Sequence, residues 1–300
     1  MSLLKGMLGA LLSCPLFEFC LVNRFALPVL FLLLVACPAL LAASPPLSPD
    51  QDKILEAIRA SALQYTQELP DFMCTQLTHR RVSSPGNSAS NLTGVSGRGV
   101  AAVGILGMAG SAPNLSDDIE ERLTFIGQKE DYTVIAVNGH KVAGIDHMQF
   151  LGVISVGAFG TDLHNIFDPR SGTVFEWERP GAIHGHRVYI YSFHLPAQHG
   201  AVLVDRSSSR QVLAPYAGRV LVDATTLDVL LIEYRIDPPL DSPIRDSAIS
   251  IEYQPVAIAG RSYLLPFRSE VRMQVQSSRY VNTIDFRHYH KFAVESKVLP

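Results

Sequence analysis

Cysteine is scarce where it would count. The chain has four cysteines, Cys14, Cys20, Cys37 and Cys74, and the first three lie in an apolar N-terminal stretch that reads as a leader. Simple cleavage leaves Cys74 alone, so an oxidising compartment would gain no internal disulfide. Cys74 itself, in Phe72-Met-Cys-Thr-Gln, reads as a small buried hydrophobe rather than a nucleophile. An excess of positive charge is also missing. The formal net charge is -3, and pairs such as Arg80-Arg81 are too short to make a nucleic-acid stripe. No Gly-x-Ser-x-Gly elbow and no His-Glu-x-x-His is present. Gly94, Gly97 and Gly99 are clustered, but no strong strand precedes them and no Lys-Ser/Thr follows. They do not make a phosphate loop, and no cofactor is expected.

What is present begins with the leader, residues 1–43. Asn23-Arg24 precedes an apolar run, residues 25–43, ending in small residues, the pattern of a secretory signal. For the apolar stretch ahead of it, with Lys5, Pro15 and Glu18, two readings stand: an over-long n-region, or a later start of translation, for example at Met7. Three exits from the leader stand open. Signal peptidase would cut near Ala42-Ala43-Ser44. Leu34-Val35-Ala36-Cys37 resembles a bacterial lipobox, in which Cys37 is acylated and becomes the N-terminus. Without cleavage, the run is long enough to anchor the chain in a bilayer. Each exit exports the domain, to the periplasm or to an envelope-anchored position, with membrane association through the leader or an acylated Cys37.

Residues 44–50 form a Pro/Ser linker, and residues 51–300 read as one β-rich domain. Ser48 or Asp50 can cap a helix over residues 51–68, whose apolar set is Ile54, Leu55, Ile58, Ala62 and Tyr65. Leu69-Pro70 stops it. A strand follows over residues 72–81. Residues 83–117 are rich in Gly, Ser, Ala and Asn and read as a flexible insertion. From residue 119 the pattern turns to β. Residues 121–127 and 132–137 flank a polar connection, and Asn138-Gly139 is a tight-turn pair. Residues 150–167 read as a loop and short helix ending at Asp168-Pro169. Residues 172–178 and 187–195 look like paired strands. The last third is patterned best: residues 218–223, 229–236, 249–253, 261–266, 270–276 and 283–292 read as strands joined by short turns. Successive strands without long intervening helices mean an antiparallel sheet. The expected fold class is α+β, mainly antiparallel β, a curved open sheet or incomplete barrel with the N-terminal helix packed on it.

The order Val-Leu-Val-Asp-Ala-Thr-Thr-Leu-Asp-Val-Leu-Leu-Ile-Glu-Tyr, then Ile-Glu-Tyr-Gln-Pro-Val, then Tyr-Leu-Leu-Pro-Phe-Arg-Ser-Glu-Val, resembles the periplasmic lipoprotein-carrier superfamily, the LolA/LolB type with its relative RseB. The resemblance covers residues 217–292 and is a pattern of strands and turns, with no site motif to carry over. It implies an incomplete antiparallel barrel whose concave face holds acyl chains under helical lids. It also implies a lipid or acylated protein as partner. Alternation alone places Val220 with Val222, and Ile249 with Ile251 and Tyr253, on one face.

Ten histidines raise a metal reading. His184-Gly-His186 and His288-Tyr-His290 have the spacing that puts both rings on one side of a strand, and His194 follows the first pair. Zinc needs three or four converging ligands, and no acidic residue stands beside these at a recognised spacing. Ser116-Asp-Asp-Ile-Glu-Glu reads as a solvated charged run. The expectation is therefore a non-enzymatic binding or carrier-like protein with a hydrophobic concave sheet face. The alternatives are an envelope protein-interaction domain without a lipid ligand, and a hydrolase built on His184, His186, His194, His288 and His290.

Overall fold

The computed structural model describes residues 47–83, 102–105, 115–146, 153–154, 158–205 and 210–292. The leader, its three exits and Cys37 lie outside the described residues, as does most of the insertion.

Chemistry at Ser48 starts the first helix, α1 (Pro49–Glu68). The Ser48 hydroxyl accepts from the Gln51 N–H and the Gln51 side chain accepts from the Ser48 N–H, a reciprocal capping box with Pro49 in the first turn. Leu55, Ile58 and Ala62 are buried along one stripe, with Ile54 and Tyr65 partly buried beside it. No helix among the described residues is long and apolar enough to cross a membrane.

The main sheet has eleven strands, in the order β5-β4-β3-β1-β15-β14-β13-β12-β11-β8-β7. These are β1 (Phe72–Ser83), β3 (Leu115–Ile126), β4 (Lys129–Val137), β5 (His140–Asp146), β7 (Val174–Ile183), β8 (His186–Leu195), β11 (Tyr216–Asp223), β12 (Val229–Ile236), β13 (Ile244–Ile258), β14 (Arg261–Val275) and β15 (Ser278–Lys291). Each neighbouring pair is antiparallel. Among the described residues the edges, β5 and β7, do not pair with each other, so the sheet is open. A second, small sheet has the order β10-β9-β2-β6, from β2 (Ala102–Ile105), β6 (Val153–Ile154), β9 (Ala201–Asp205) and β10 (Arg210–Ala214). Its β2, which lies within the glycine-rich stretch, pairs parallel with β9.

Two-residue turns fix the registers. Asn138-Gly139, Ala259-Gly260, Gly127-Gln128 and His184-Gly185 all have both central residues at positive φ. This is the turn geometry that matches the right-handed twist of a hairpin. The connection between β3 and β4 is therefore shorter than the polar stretch of the sequence suggests.

One face of the sheet is the core. Val220, Val222, Ile232, Ile249, Ile251, Tyr253, Val271 and Met273 alternate along their strands and are all buried. They belong to one cluster with α1 and with the segment carrying α2 (Thr161–Phe167) and the 3-10 turn Pro169–Ser171. The helix-covered face is called the inner face below. Burying each large apolar side chain there contributes about 1.5–3 kcal/mol.

Candidate functional site: the helix-covered face of the sheet

At one end of the inner face the side chains are aromatic. Phe72, fully buried, stacks on Phe125 with centroids 5.1 Å apart and meets Phe159 at 5.4 Å and Tyr289 at 5.6 Å. Phe159 also sits edge-on to Phe286 at 5.2 Å. Phe159 comes from the segment that covers the sheet, and the other four rings come from β1, β3 and β15. Cys74 is buried beside them, its thiol pushed up by burial and bonded to Tyr289. That is the inert, apolar role expected of it.

Further along the same strands the inner face becomes polar. On β1 the buried positions run Phe72, Cys74, Gln76, Thr78, Arg80. Gln76 donates to Glu121 at 2.6 Å, and Glu121 is 1% exposed. Arg80 Nε donates to Asp117 Oδ1 at 2.8 Å while Nη2 donates to Oδ2, a two-pronged buried ion pair. Asp117 and Glu121 are thus not a solvated run. They share the inner side of β3 with Ile119, Leu123 and Phe125, because a strand repeats every two residues. The concave face is apolar and aromatic over much of its width but polar across part of β1 and β3.

Tyrosines line the other half. Tyr216 and Tyr234 lie 4.7 Å apart, and Tyr65 of α1 meets Tyr253 edge-on at 6.2 Å. Gly218 makes room for this. A Cβ there would stand 1.9 Å from the Glu233 carbonyl oxygen and 2.7 Å from Tyr234 Cβ. Burial pushes the hydroxyls of Tyr65, Tyr234 and Tyr253 well above the usual phenol range. The Tyr65 hydroxyl is buried and makes no hydrogen bond among the described residues.

The covering segment is tied to the sheet at three polar points. Tyr253 Oη donates to the Ala158 carbonyl at 3.0 Å, the Phe159 N–H donates to Glu130 Oε1 at 3.2 Å, and Tyr234 Oη donates to Asp162 Oδ2 at 3.4 Å. Asp162 is 4% exposed. Its carboxyl is pushed up to about 7, first by burial and then by the charge of Glu130, against the pull of Tyr234.

The opposite face is charged. Ser192, Arg219, Glu233, Ser250 and Glu270 form one cross-strand row. They border a groove of about 840 Å³ that also includes Arg235, Asp246 and Arg272. Arg219 pairs with Glu178 at 2.7 Å, Arg235 pairs with Asp246 at 3.1 Å, and Arg272 pairs with Glu270. Exposed pairs of this kind contribute about 0–1 kcal/mol each.

The histidines are not brought together. His184 occupies the β7–β8 turn at φ 47°, 3.4 Å from Glu252, while His186 begins β8 and bonds Asp223 at 2.8 Å. The pair straddles a turn rather than sharing one side of a strand. His194 is exposed at the far end of β8. His288 has φ 56° and sits with Tyr289 opposite Cys74, an extra residue that breaks the alternation, so His288 and His290 do not share a side by simple period. His290 Nδ1 bonds the His288 carbonyl at 2.8 Å. Among the described residues no three His, Cys, Asp or Glu side chains form a group that could hold a metal.

No family model and no curated protein matches the chain. Solved structures similar to it include a LolA superfamily protein from Nitrosomonas europaea, at 10% identity and TM-score 0.38, over 82% of this chain and 97% of that one. A DUF1329 family protein from Desulfovibrio piger is similar at 11% identity and TM-score 0.35, over 82% and 95%. The lipoprotein LppX of Mycobacterium tuberculosis is similar at 9% identity and TM-score 0.26, over 81% and 98%. The first belongs to the superfamily that the last third of the sequence resembles.

Proposed function

We propose that this chain is an exported, non-enzymatic binding protein of the cell envelope, which holds a lipid or an acylated protein against the inner face of its open sheet. The observation that carries this reading is the construction of that face. An aromatic and aliphatic surface is covered by residues 158–171, a short segment with three polar ties to the sheet. Its apolar contacts, from Phe159, Leu163, Ile166 and Phe167, are of the kind an acyl chain could replace at little net cost, since the displaced surface and the ligand are both apolar. The buried Tyr65 hydroxyl, without a hydrogen bond among the described residues, is a donor that a ligand oxygen would satisfy. A chain released after Ala43 would act as a diffusing carrier, whereas one acylated at Cys37 would act as a tethered receiver.

Uptake of a fluorescent fatty acid by the delipidated mature chain tests this. Saturable binding is expected, with loss of affinity in Phe286→Asp, which puts a charge on the sheet face that Phe159 covers. No uptake, together with no lipid in the protein as purified, would sink the carrier reading. The charged groove on the opposite face favours a second reading, an interaction domain that binds no lipid. That reading predicts salt-sensitive binding to an envelope protein, weakened by Arg235→Glu and Arg272→Glu, in a chain that ignores the fatty acid.

A further inference from the structure

Asp162 is a carboxyl that the covering segment carries into an apolar interior. The segment turns onto the sheet at Gly160, whose φ of 134° only glycine adopts readily. Two residues later Asp162 points at Tyr234, and Leu163, Ile166 and Phe167 of the same short helix are buried with it.

The charged and titratable groups facing this region come from five elements. β4 supplies Glu130, whose charge opposes ionisation of Asp162. β12 supplies Tyr234, the hydrogen-bond donor, and β11 and β13 supply Tyr216 and Tyr253, whose hydroxyls feel the Asp162 charge. From α1 come Tyr65, against Tyr253, and Arg59, which lies over the Phe175 ring that in turn stacks on Phe167. On the segment itself His164 is engaged with Asp168 at 3.3 Å. The groups that shift Asp162 are thus a carboxylate and a phenol. A carboxylate formed there is repelled by one neighbour, weakly held by the other, and shielded from water by the segment it sits on.

We propose that residues 158–171 form a proton-operated latch, closed over the sheet while the Asp162 carboxyl keeps its proton and lifting when that proton leaves for solvent. The inference rests on the binding reading for its purpose, since a rise in pH would then uncover the aromatic face and release or admit the acyl ligand.

The closed state titrates at about 7 and an open, solvated Asp162 near 3.8, so closing takes up a proton between those values. The closing equilibrium then weakens tenfold per pH unit across the window, about a thousandfold in total, and is flat below and above it.

Hydrogen exchange on the full mature chain without ligand reads this directly. The His164 and Asp168 amides, bonded to the Gly160 and His164 carbonyls at 2.7 and 2.8 Å, report the segment, and β13 amides serve as the internal control. After correction for intrinsic rates, opening should rise roughly tenfold per unit from pH 5 to 7 and then level, with β13 unchanged. Asp162→Asn should stay closed and pH-independent. Glu130→Gln should move the midpoint to lower pH, and this arm stands if Asp162→Asn fails to fold. A flat wild-type profile, or an unchanged slope in Asp162→Asn, overturns the latch. A flat profile with fatty-acid uptake intact removes the latch alone. A titrating segment in a chain that takes up no fatty acid removes the carrier reading alone.

Discussion

Asp117 and Asp118 are neighbours in sequence with opposite fates, and replacing each by alanine tests the assignment of faces. Asp117 projects inward, where its side chain and that of Arg80 each keep 8% of their exposure and meet through two hydrogen bonds. Removing the Asp117 carboxylate takes away the two-pronged acceptor of a buried guanidinium, and breaking one half of a buried pair costs about 3–5 kcal/mol. Asp118 projects outward to His79 at 2.7 Å, with side chains 55% and 44% exposed, so its loss should cost under about 1 kcal/mol. Urea unfolding measures both. With a slope of about 3 kcal/mol per molar, Asp117→Ala should lower the midpoint by more than about 1 M, while Asp118→Ala leaves it almost unmoved. The double variant Arg80→Met/Asp117→Leu should recover most of the loss, because an apolar pair of similar volume needs no compensation. A loss under about 1 kcal/mol for Asp117→Ala, or equal losses at the two sites, would refute a buried pair on the inner face.

Phe72→Ala, which empties the centre of the aromatic group, should cost about 3–5 kcal/mol in the same assay, and Phe72→Leu clearly less. Gly218→Ala should cost at least about 1–3 kcal/mol, because the new methyl meets backbone of β12. Its near-ultraviolet circular dichroism should change as Tyr234 is displaced. Asp223 accepts the Thr225 and Thr226 N–H groups and contacts His186, which together hold its carboxyl below the usual carboxylate range, the two backbone bonds first. Its contribution is present above the unfolded carboxylate value, about 3.8, and is lost as pH falls below it. Asp223→Ala should therefore cost about 1–2 kcal/mol at pH 7 and clearly less in acid, measured by unfolding at pH 7 and pH 2.

Much of the architecture is legible locally. Asn138-Gly139 and Ala259-Gly260 announce their turns, and the alternation of Ile249, Ile251 and Tyr253 gives the buried side of β13. The helix cap is readable at Ser48. Other features are less so. Gln128 and His184 adopt positive φ without the residue preference that marks such turns, so their hairpins are tighter than the sequence suggests. The acids of β3 look solvated by charge alone, whereas counting by twos from Phe125 through Leu123 and Ile119 puts Glu121 and Asp117 inside. Their partners, Gln76 and Arg80, lie 45 and 37 residues away, a distance only tertiary structure closes. Asp162 has no sequence signal at all, since a short helix with one acid near its start is common and only the Tyr234 contact distinguishes this one.

Because the sheet does not close on itself, it ends in exposed backbone, and β7 shows how that end is kept from growing. Its ladder to β8 skips between Trp177 and Arg179, and Pro180 follows immediately. The irregularity breaks the two-residue beat, and the proline withholds a donor. An extended segment from another copy arriving at this edge would find a few bonds in step and then lose count. Fibre-like self-addition, the standing hazard of an open sheet, is blocked here by one misplaced residue and one missing hydrogen. Regularising the strand, by removing the extra residue and replacing Pro180, would turn a terminus into a template.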